Sequence, residues 1–235
     1  MLVSHLTQCA SIRRWLESFA GDDRALAYLE LKQHRAFPRL TPSQRIACID
    51  EALPMGRKAA IRFEGRNPVE IAASLGVQVR IDSGPNEIAG VFMRAEYDSQ
   101  TRIIVIYQRS VDQTVQMLDA TLPHIFELYL AHELFHHIEA HSRTSAFTRT
   151  LPPIGKMSLH RSEIAAHAFA RTLTDFPALP ILLDSLLLIK AGLVPVDEWE
   201  RSFRQARSDV QEPARPLPSY PQYRGSRLLS SAPRE

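Results

Sequence analysis

Two histidines four residues apart constrain the fold of this chain more than any other feature. His132 and His136 lie in AHELFHHIEAH, residues 131–141. On an α-helix such a pair differs by about 40° in direction, so both rings face one side and can close on one metal ion. Glu133 lies about 100° around the same helix, outside that chelate but within reach of a water held there. The spacing therefore predicts two metal ligands and one proton acceptor.

The flanking residues favour a buried helix. Pro123 suits a first helical turn, where its missing N–H costs nothing. Seven apolar residues give the segment buried-helix character: Ile125, Phe126, Leu128, Leu130, Leu134, Phe135 and Ile138. A chance match and a solvated, His-rich surface helix are the alternatives, and this apolar setting disfavours the second. The pattern is the HExxH motif of zinc hydrolases, so we expect Zn²⁺ as the metal.

A catalytic zinc usually has three protein ligands, so one more is needed. On a helix, His137 and His141 point away from His132, and we expect them to form a solvated pair. The longer pattern HExxHxxGxxH also fails, because it needs Gly at 139 and His at 142, where this chain has Glu139 and Ser142. A better candidate is Glu163, which precedes an Ala-rich helical stretch in RSEIAAHAFARTL. Two helices would then build one site.

These two motifs resemble those of the ImmA/IrrE metallopeptidases, in which HExxH is followed some tens of residues later by ExxANxFA. Residues 163–170 here are EIAAHAFA. The resemblance covers residues 67 to about 180 and includes NPVEIAASLGVQVRI, which is similar to the family's helix and strand before its small sheet. It implies that Glu163 is the third zinc ligand of a metallopeptidase. It also implies a protein substrate, such as a transcriptional repressor or other regulator, cut at a limited site in a stress or mobile-element response.

The chain departs from the family pattern at three places. Phe135 stands where a small Gly is usual, which would narrow the cleft. His167 replaces Asn four residues after Glu163, and we expect it to hydrogen-bond a zinc ligand rather than bind the metal. The segment from Ser110 to Leu122 is longer than usual between the sheet and the motif helix.

The hydrophobic pattern and the resemblance together indicate an α+β, zincin-like fold, with a small, largely antiparallel sheet packed against the HExxH helix. Strands are predicted at residues 77–81, 89–94 and 102–107. The last of these, RIIVIY, is either an edge strand that aligns extended substrate or a buried central strand.

Helical patterns and composition divide the chain into three segments. Residues 1–63 are predicted to be an N-terminal helical region, in which Thr41 and Gln44 form a capping box. Residues 64–194 form the metallopeptidase domain. Residues 195–235 are predicted to be a short helix and a disordered tail rich in Pro, Arg and Ser.

Composition and charge exclude several classes of protein. A net charge of +2 with interspersed signs gives no footprint for direct nucleic-acid binding. EIAASLGV resembles the start of a helix-turn-helix, but a strand pattern follows where the recognition helix is needed. The stretch MLVSHLTQCASIRRW lacks an apolar core of signal-peptide length, and PILLDSLLLIKAGL is too short and too charged to span a bilayer. We expect a soluble, cytoplasmic protein in which Cys9 and Cys48 are reduced thiols.

Two questions stay open at this point. His124, Tyr129 and His160 are candidates for polarising a substrate carbonyl, although an ordinary hydrogen bond is the simpler expectation for each. The alternative function is a non-proteolytic regulatory binding protein that retains the zinc-site fold. The presence of Glu133 favours the enzyme, because a binding module needs no general base.

Overall fold

The computed structural model describes residues 9–19, 21–85, 87–88, 91–142 and 158–211. These residues form an α+β fold with a short 3-10 helix at Phe37–Arg39. The α-helices are α1 (Cys9–Glu17), α2 (Asp23–Lys32), α3 (Pro42–Ile61), α4 (Pro68–Ser74), α5 (Gln108–Leu118), α6 (Leu122–Ser142), α7 (Ser158–Thr174), α8 (Ile181–Lys190) and α9 (Val196–Gln211). The strands are β1 (Gln78–Asp82), β2 (Glu87–Ile88), β3 (Val91–Phe92), β4 (Ala95–Asp98) and β5 (Ile103–Tyr107).

The main sheet is mixed, which corrects the expected largely antiparallel arrangement. Its strand order is β1-β5-β4. β5 runs parallel to β1, with Gln78 opposite Ile103, and antiparallel to β4, with Ala95 opposite Ile106. The turn at residues 99–102 brings β5 back between the other two strands, so β5 has one neighbour of each direction. RIIVIY is therefore the central strand, and β4 is an edge.

A second, two-stranded antiparallel pair consists of β2 and β3. It replaces the single strand expected at residues 89–94. Only Val91–Phe92 of that range is a strand, while residues 89–90 lie outside the described residues.

Most of the predicted helix starts are confirmed. Thr41 Oγ1 accepts a hydrogen bond from the Gln44 N–H, and Gln44 Oε1 accepts one from the Thr41 N–H, which completes the capping box. The motif helix begins at Leu122, with Pro123 in its first turn. One start differs. The sequence Ser110-Val111-Asp112-Gln113 predicts a helix capped by Ser110, but α5 begins earlier, at Gln108, and the Ser110 hydroxyl donates to the Met93 carbonyl.

Helix α7 is the centre of the packing, with α3 on one side and α6 on another. The side of α7 that faces its neighbours is almost inaccessible to water, and most of the side chains there are small. Residues at most 1% exposed are Ile164, Ala165, Ala166, Ala168, Phe169 and Ala170. Small side chains let neighbouring helix axes approach closely, so α7 is held firmly between its neighbours.

One hydrophobic core joins the N-terminal helices, the 64–194 segment and α9. On α1 and just after it, Trp15 and Phe19 pack against α9, where Phe19 lies 4.7 Å from Phe203 between ring centroids. The N-terminal helices are therefore packed against the 64–194 segment as part of the same core. The predicted disordered tail beyond Gln211 lies outside the described residues.

Two further expectations concern cysteine and membrane insertion. Cys48 is a buried free thiol, as predicted, whereas the side chain of Cys9 lies outside the described part of the structure. Among the described helices, none has both the length and the apolar character needed to cross a bilayer.

Gly56 permits the close contact between α3 and α7, which leads to a stability prediction. A Cβ at this position would overlap the carbonyl oxygen of Ala165 and lie 2.9 Å from Ala168 Cβ. We expect Gly56→Ala to lower the free energy of unfolding by about 1–3 kcal/mol, because overpacking outweighs the roughly 1 kcal/mol that Ala gains in helix propensity. Urea denaturation measures the change.

Gly21→Ala is the matched control, since a Cβ there would meet nothing within 4 Å. Its stability should change by no more than about 0.5 kcal/mol. Equal stability of the two variants would show that the α3–α7 contact tolerates a methyl group.

Candidate metal centre

The three predicted zinc ligands converge on one point. His132 Nε2 and His136 Nε2 lie 3.2 Å apart. The Glu163 carboxylate oxygens lie 3.3 Å from His132 Nε2 and 3.5 Å from His136 Nε2. A tetrahedral zinc with bonds of about 2.0–2.1 Å would separate its ligand atoms by about 3.3 Å. The donor atoms are therefore spaced as zinc ligands are.

Two helices position these donors. α6 supplies both histidines one turn apart, as the HExxH spacing predicts, and α7 supplies the carboxylate from its second turn. Within the described part of the chain, His132, His136 and Glu163 are the one group of three His, Cys, Asp or Glu residues whose ligand atoms all lie within 4.8 Å. The residue types and their spacing fit a zinc site.

His136 is oriented by a link between the two helices. Its Nδ1 lies 3.1 Å from the Ser162 hydroxyl, which donates a short hydrogen bond to Glu139. Because the hydroxyl hydrogen goes to Glu139, Ser162 can only accept from Nδ1–H, and the lone pair of His136 is left on Nε2. This partnership, which the sequence analysis missed, fixes the tautomer that a metal requires.

The electrostatics of the site favour a cation between the ligands. Burial works to lower the pKa of His136, but hydrogen bonds to Glu139 and Glu163 outweigh it and raise that pKa to about 10. Burial works to raise the pKa of Glu163, yet its contacts with His132 and His136 hold it well below the usual range. A proton on the His136 ring and a metal ion would therefore compete for the same ring nitrogen beside Glu163.

Glu133 lies in the cleft beside the ligands and is 9% exposed. Burial raises the pKa of its carboxyl, while the neighbouring His132 and His136 limit the rise. A carboxylate with a raised pKa takes a proton from water more readily than one in solvent. The structure thus places the predicted proton acceptor next to the metal-ligand group.

His167 lies against a ligand, but not through the predicted hydrogen bond. Its ring centroid is 4.7 Å from that of His132, so the contact is ring packing. Its Nε2 lies 4.0 Å from a Glu30 carboxylate oxygen, and its Nδ1 has no hydrogen-bond partner among the described residues. Burial holds its pKa well below the usual value, so the ring is neutral.

The expected solvated pair of His137 and His141 forms, but His137 is buried. The two rings stack with centroids 4.3 Å apart, and His137 is only 3% exposed. Tyr97 of β4 covers them, with its hydroxyl 2.8 Å from His137 Nδ1 and 3.3 Å from His141 Nδ1. This contact attaches the edge strand to the motif helix beside the cleft.

The other described residues singled out from the sequence make packing contacts or ordinary hydrogen bonds. Phe135 packs into the core against Phe169, at 5.7 Å between ring centroids, so it does not narrow the cleft. Tyr129 lines the cleft, and its hydroxyl shares a 2.6 Å hydrogen bond with Thr114. His124 stacks on Phe176 outside the cleft lining. The side chain of His160 lies outside the described residues.

The metal-ligand group opens into a cleft of about 470 Å³. Residues 93–97, which include most of β4, form one wall, and residues from α2 and α8 form the far end. The far-end residues, Glu30, Gln33, Arg94 and Asp184, were not identified from the sequence. No local motif marks them, because they come together only through tertiary packing.

Comparison with known proteins gives no assignment. The chain matches no family model, and no curated protein or solved structure matches it.

Zinc binding should release protons. His136, with a pKa near 10, holds a proton at pH 7 in the metal-free protein, and zinc requires the neutral ring. We therefore expect about one proton released per zinc, and an apparent affinity that falls as the pH is lowered. Calorimetric zinc titrations in buffers of different ionisation enthalpy measure the number. Glu139→Gln should release fewer protons, and zinc uptake without proton release from the native chain would contradict this account.

Replacing Glu163 and replacing His167, both on α7, should have different effects on zinc binding. Glu163→Ala removes a donor atom and should abolish or nearly abolish zinc binding. His167→Asn removes only ring packing against His132 and should change zinc affinity by less than about tenfold. Zinc titration of both variants compares them directly. Retention of zinc by Glu163→Ala with loss by His167→Asn would reverse the assignment.

Proposed function

We propose that this chain is a zinc-dependent metallopeptidase of zincin-like fold, with Zn²⁺ held by His132, His136 and Glu163. The observation that carries the proposal is the close approach of His132 Nε2, His136 Nε2 and the Glu163 carboxylate, with each ring nitrogen 3.3–3.5 Å from one of the carboxylate oxygens and Glu133 in the same cleft. Membership of the ImmA/IrrE family remains part of the proposal and rests on the two motifs. The oriented Nε2 of His136 and the partly buried carboxylate support the metal assignment.

The reaction is hydrolysis of a peptide bond. Zn²⁺ in this site would polarise the scissile carbonyl and lower the pKa of water toward about 7. Glu133 takes a proton from the attacking water and delivers it to the leaving amine nitrogen. Its position on the motif helix, one residue after His132, keeps its carboxylate beside the ligands without making it one.

Strand β4 is suited to align an extended substrate. It pairs with β5 on one side, and no described strand pairs with its other side. Residues 93–97 line the cleft, so a peptide added to this edge would pass the metal ligands. The contact of Tyr97 with His137 holds that edge at a constant distance from the motif helix.

The substrate follows from the family resemblance alone. We propose a protein substrate, such as a transcriptional repressor or another regulator, cut at a limited site in the cytoplasm. A binding protein without turnover is the competing function. It is disfavoured because Glu133 occupies the place of a general base, where a binding module would gain nothing from a buried carboxylate.

Replacing Glu133 should separate turnover from binding. Glu133→Gln keeps size and shape but cannot accept the proton, so we expect unchanged zinc content and a loss of peptide cleavage of about 10²- to 10⁴-fold. Zinc-loaded protein is incubated with a cell extract, and new protein N-termini are quantified by mass spectrometry. Glu70→Gln on the exposed surface of α4 is the matched control and should cleave normally.

The outcomes are distinct. Cleavage sites that appear with the native chain and Glu70→Gln but not with Glu133→Gln would support the peptidase. The same sites at the same rate with Glu133→Gln would remove Glu133 from the mechanism. Binding of a partner that stays intact with every variant would support the alternative function.

A further inference from the structure

The cleft extends beyond the metal ligands to a polar end that the peptidase mechanism does not use. His167 lies between His132 and this end, since its ring packs on His132 while its Nε2 faces Glu30 at 4.0 Å. Gln33, which directly follows α2, and Asp184 of α8 also line this end. A substrate side chain next to the scissile bond would reach this region.

Glu30 is the principal charged group there. Its side chain is only 15% exposed, and the 4.0 Å distance to His167 is too long for a hydrogen bond. Burial, followed by repulsion from Glu163, raises the pKa of Glu30 to about 7, although Arg94 opposes the rise. A carboxylate that is largely removed from water and has no close cation is costly, so it would gain from a cationic ligand.

The neighbouring cation does not meet that need. Arg94 is paired with Asp184, so its charge is already compensated. Two buried nitrogens at this end, Arg94 Nε and His167 Nδ1, have no hydrogen-bond partner among the described residues. Arg94 Nε–H can only donate, so a basic ligand would not pair with it, whereas the neutral His167 ring can accept a hydrogen bond at Nδ1 when Nε2 carries the proton and faces Glu30.

The charged side chains that line the cleft indicate whether a ligand there would be positive or negative. Five carboxylates line the cleft, from Glu30, Glu96, Glu133, Glu163 and Asp184, and Arg94 is the one Arg or Lys among the described lining residues. A divalent metal would offset Glu133 and Glu163, and Arg94 offsets Asp184. Glu96 is exposed and accepts a hydrogen bond from Tyr107. Glu30 is left as the interior carboxyl without a paired cation, and because its pKa is raised to about 7, a cationic ligand would favour its ionised form.

We propose that Glu30, Gln33 and Asp184 form a subsite for a basic side chain, Arg or Lys, of the substrate residue beside the scissile bond. This inference rests on the proposed peptidase function. The guanidinium or ammonium group donates hydrogen bonds to the Glu30 carboxylate. Gln33 lies at the exposed rim of the cleft, where its side-chain oxygen can accept a hydrogen bond from the same group. An acidic side chain is disfavoured, because Arg94 is already paired and Glu30 would repel it.

Amino-acid hydroxamates test the subsite without turnover, since the hydroxamate group binds zinc and the side chain samples the adjacent cleft. Arginine hydroxamate, its neutral isostere citrulline hydroxamate and glutamic acid α-hydroxamate are titrated calorimetrically into the zinc-loaded full chain. We expect arginine hydroxamate to bind about 10-fold or more tightly than citrulline hydroxamate, since charge-assisted hydrogen bonds are the strong ones. Glutamic acid α-hydroxamate should bind most weakly.

Three variants test whether Glu30 causes the preference for arginine hydroxamate. Glu30→Gln should bind zinc normally and bind arginine and citrulline hydroxamates with equal affinity. Glu30→Asp, which keeps the charge on a shorter side chain, should retain part of the preference. Glu198→Gln makes the same change of charge on the exposed surface of α9 and should behave as the native chain. Zinc content of each variant verifies that the site is intact.

The results separate this inference from the proposed function. Equal affinities for the three hydroxamates, tightest binding of the glutamic acid compound, or an equal loss of preference in Glu198→Gln would overturn the subsite and leave the peptidase standing. The expected preference in a protein that cleaves no peptide would support the subsite and overturn the peptidase. Failure of every hydroxamate to bind the zinc-loaded chain would overturn both.

Discussion

The backbone contact between α3 and α7 at Gly56 determines where the metal site stands. α7 carries the carboxylate ligand, and nothing in the α6 motif itself decides how far away that carboxylate lies. The distance is decided by packing, with α3 against the Ala165 backbone on one side of α7 and α6 on another. Dense packing transmits small displacements rather than absorbing them, so a shift at the α3 contact would reach Glu163 two residues earlier.

Charge compensation gives the site its chemical character. Two imidazoles and a carboxylate stand together in a poorly solvated cleft, and the pKa values of His136 and Glu163 move in opposite directions because each stabilises the charge of the other. The Ser162 and Glu139 link keeps the ring of His136 turned so that Nε2 faces Glu163. Contacts within the protein therefore orient the His136 ring, and a zinc ion bound there would displace a proton from it.

The features that the sequence predicted correctly are local. The HExxH spacing, the capping box at Thr41 and the helix around Glu163 depend on residues within one or two turns, and the structure contains each of them. The sheet was described less well, because the direction of β1 relative to β5 depends on a path of some twenty residues between them. His137 was misjudged for the same reason, since its burial comes from Tyr97 on a distant strand.

No local sequence pattern predicts that Glu30 lines the cleft, and its position there ties the N-terminal helices to the site. It reaches the cleft from α2, while α3 and Phe63 cover the side of α7 that holds Phe169. A fragment starting at residue 64 would keep both zinc motifs, yet it would expose an apolar surface prone to aggregation and lose one end of the cleft. The segment from residue 64 onward is therefore not a unit that could be transferred on its own. A recombination event that exchanged the N-terminal helices would change core stability and cleft chemistry together, so the two would be inherited as one unit.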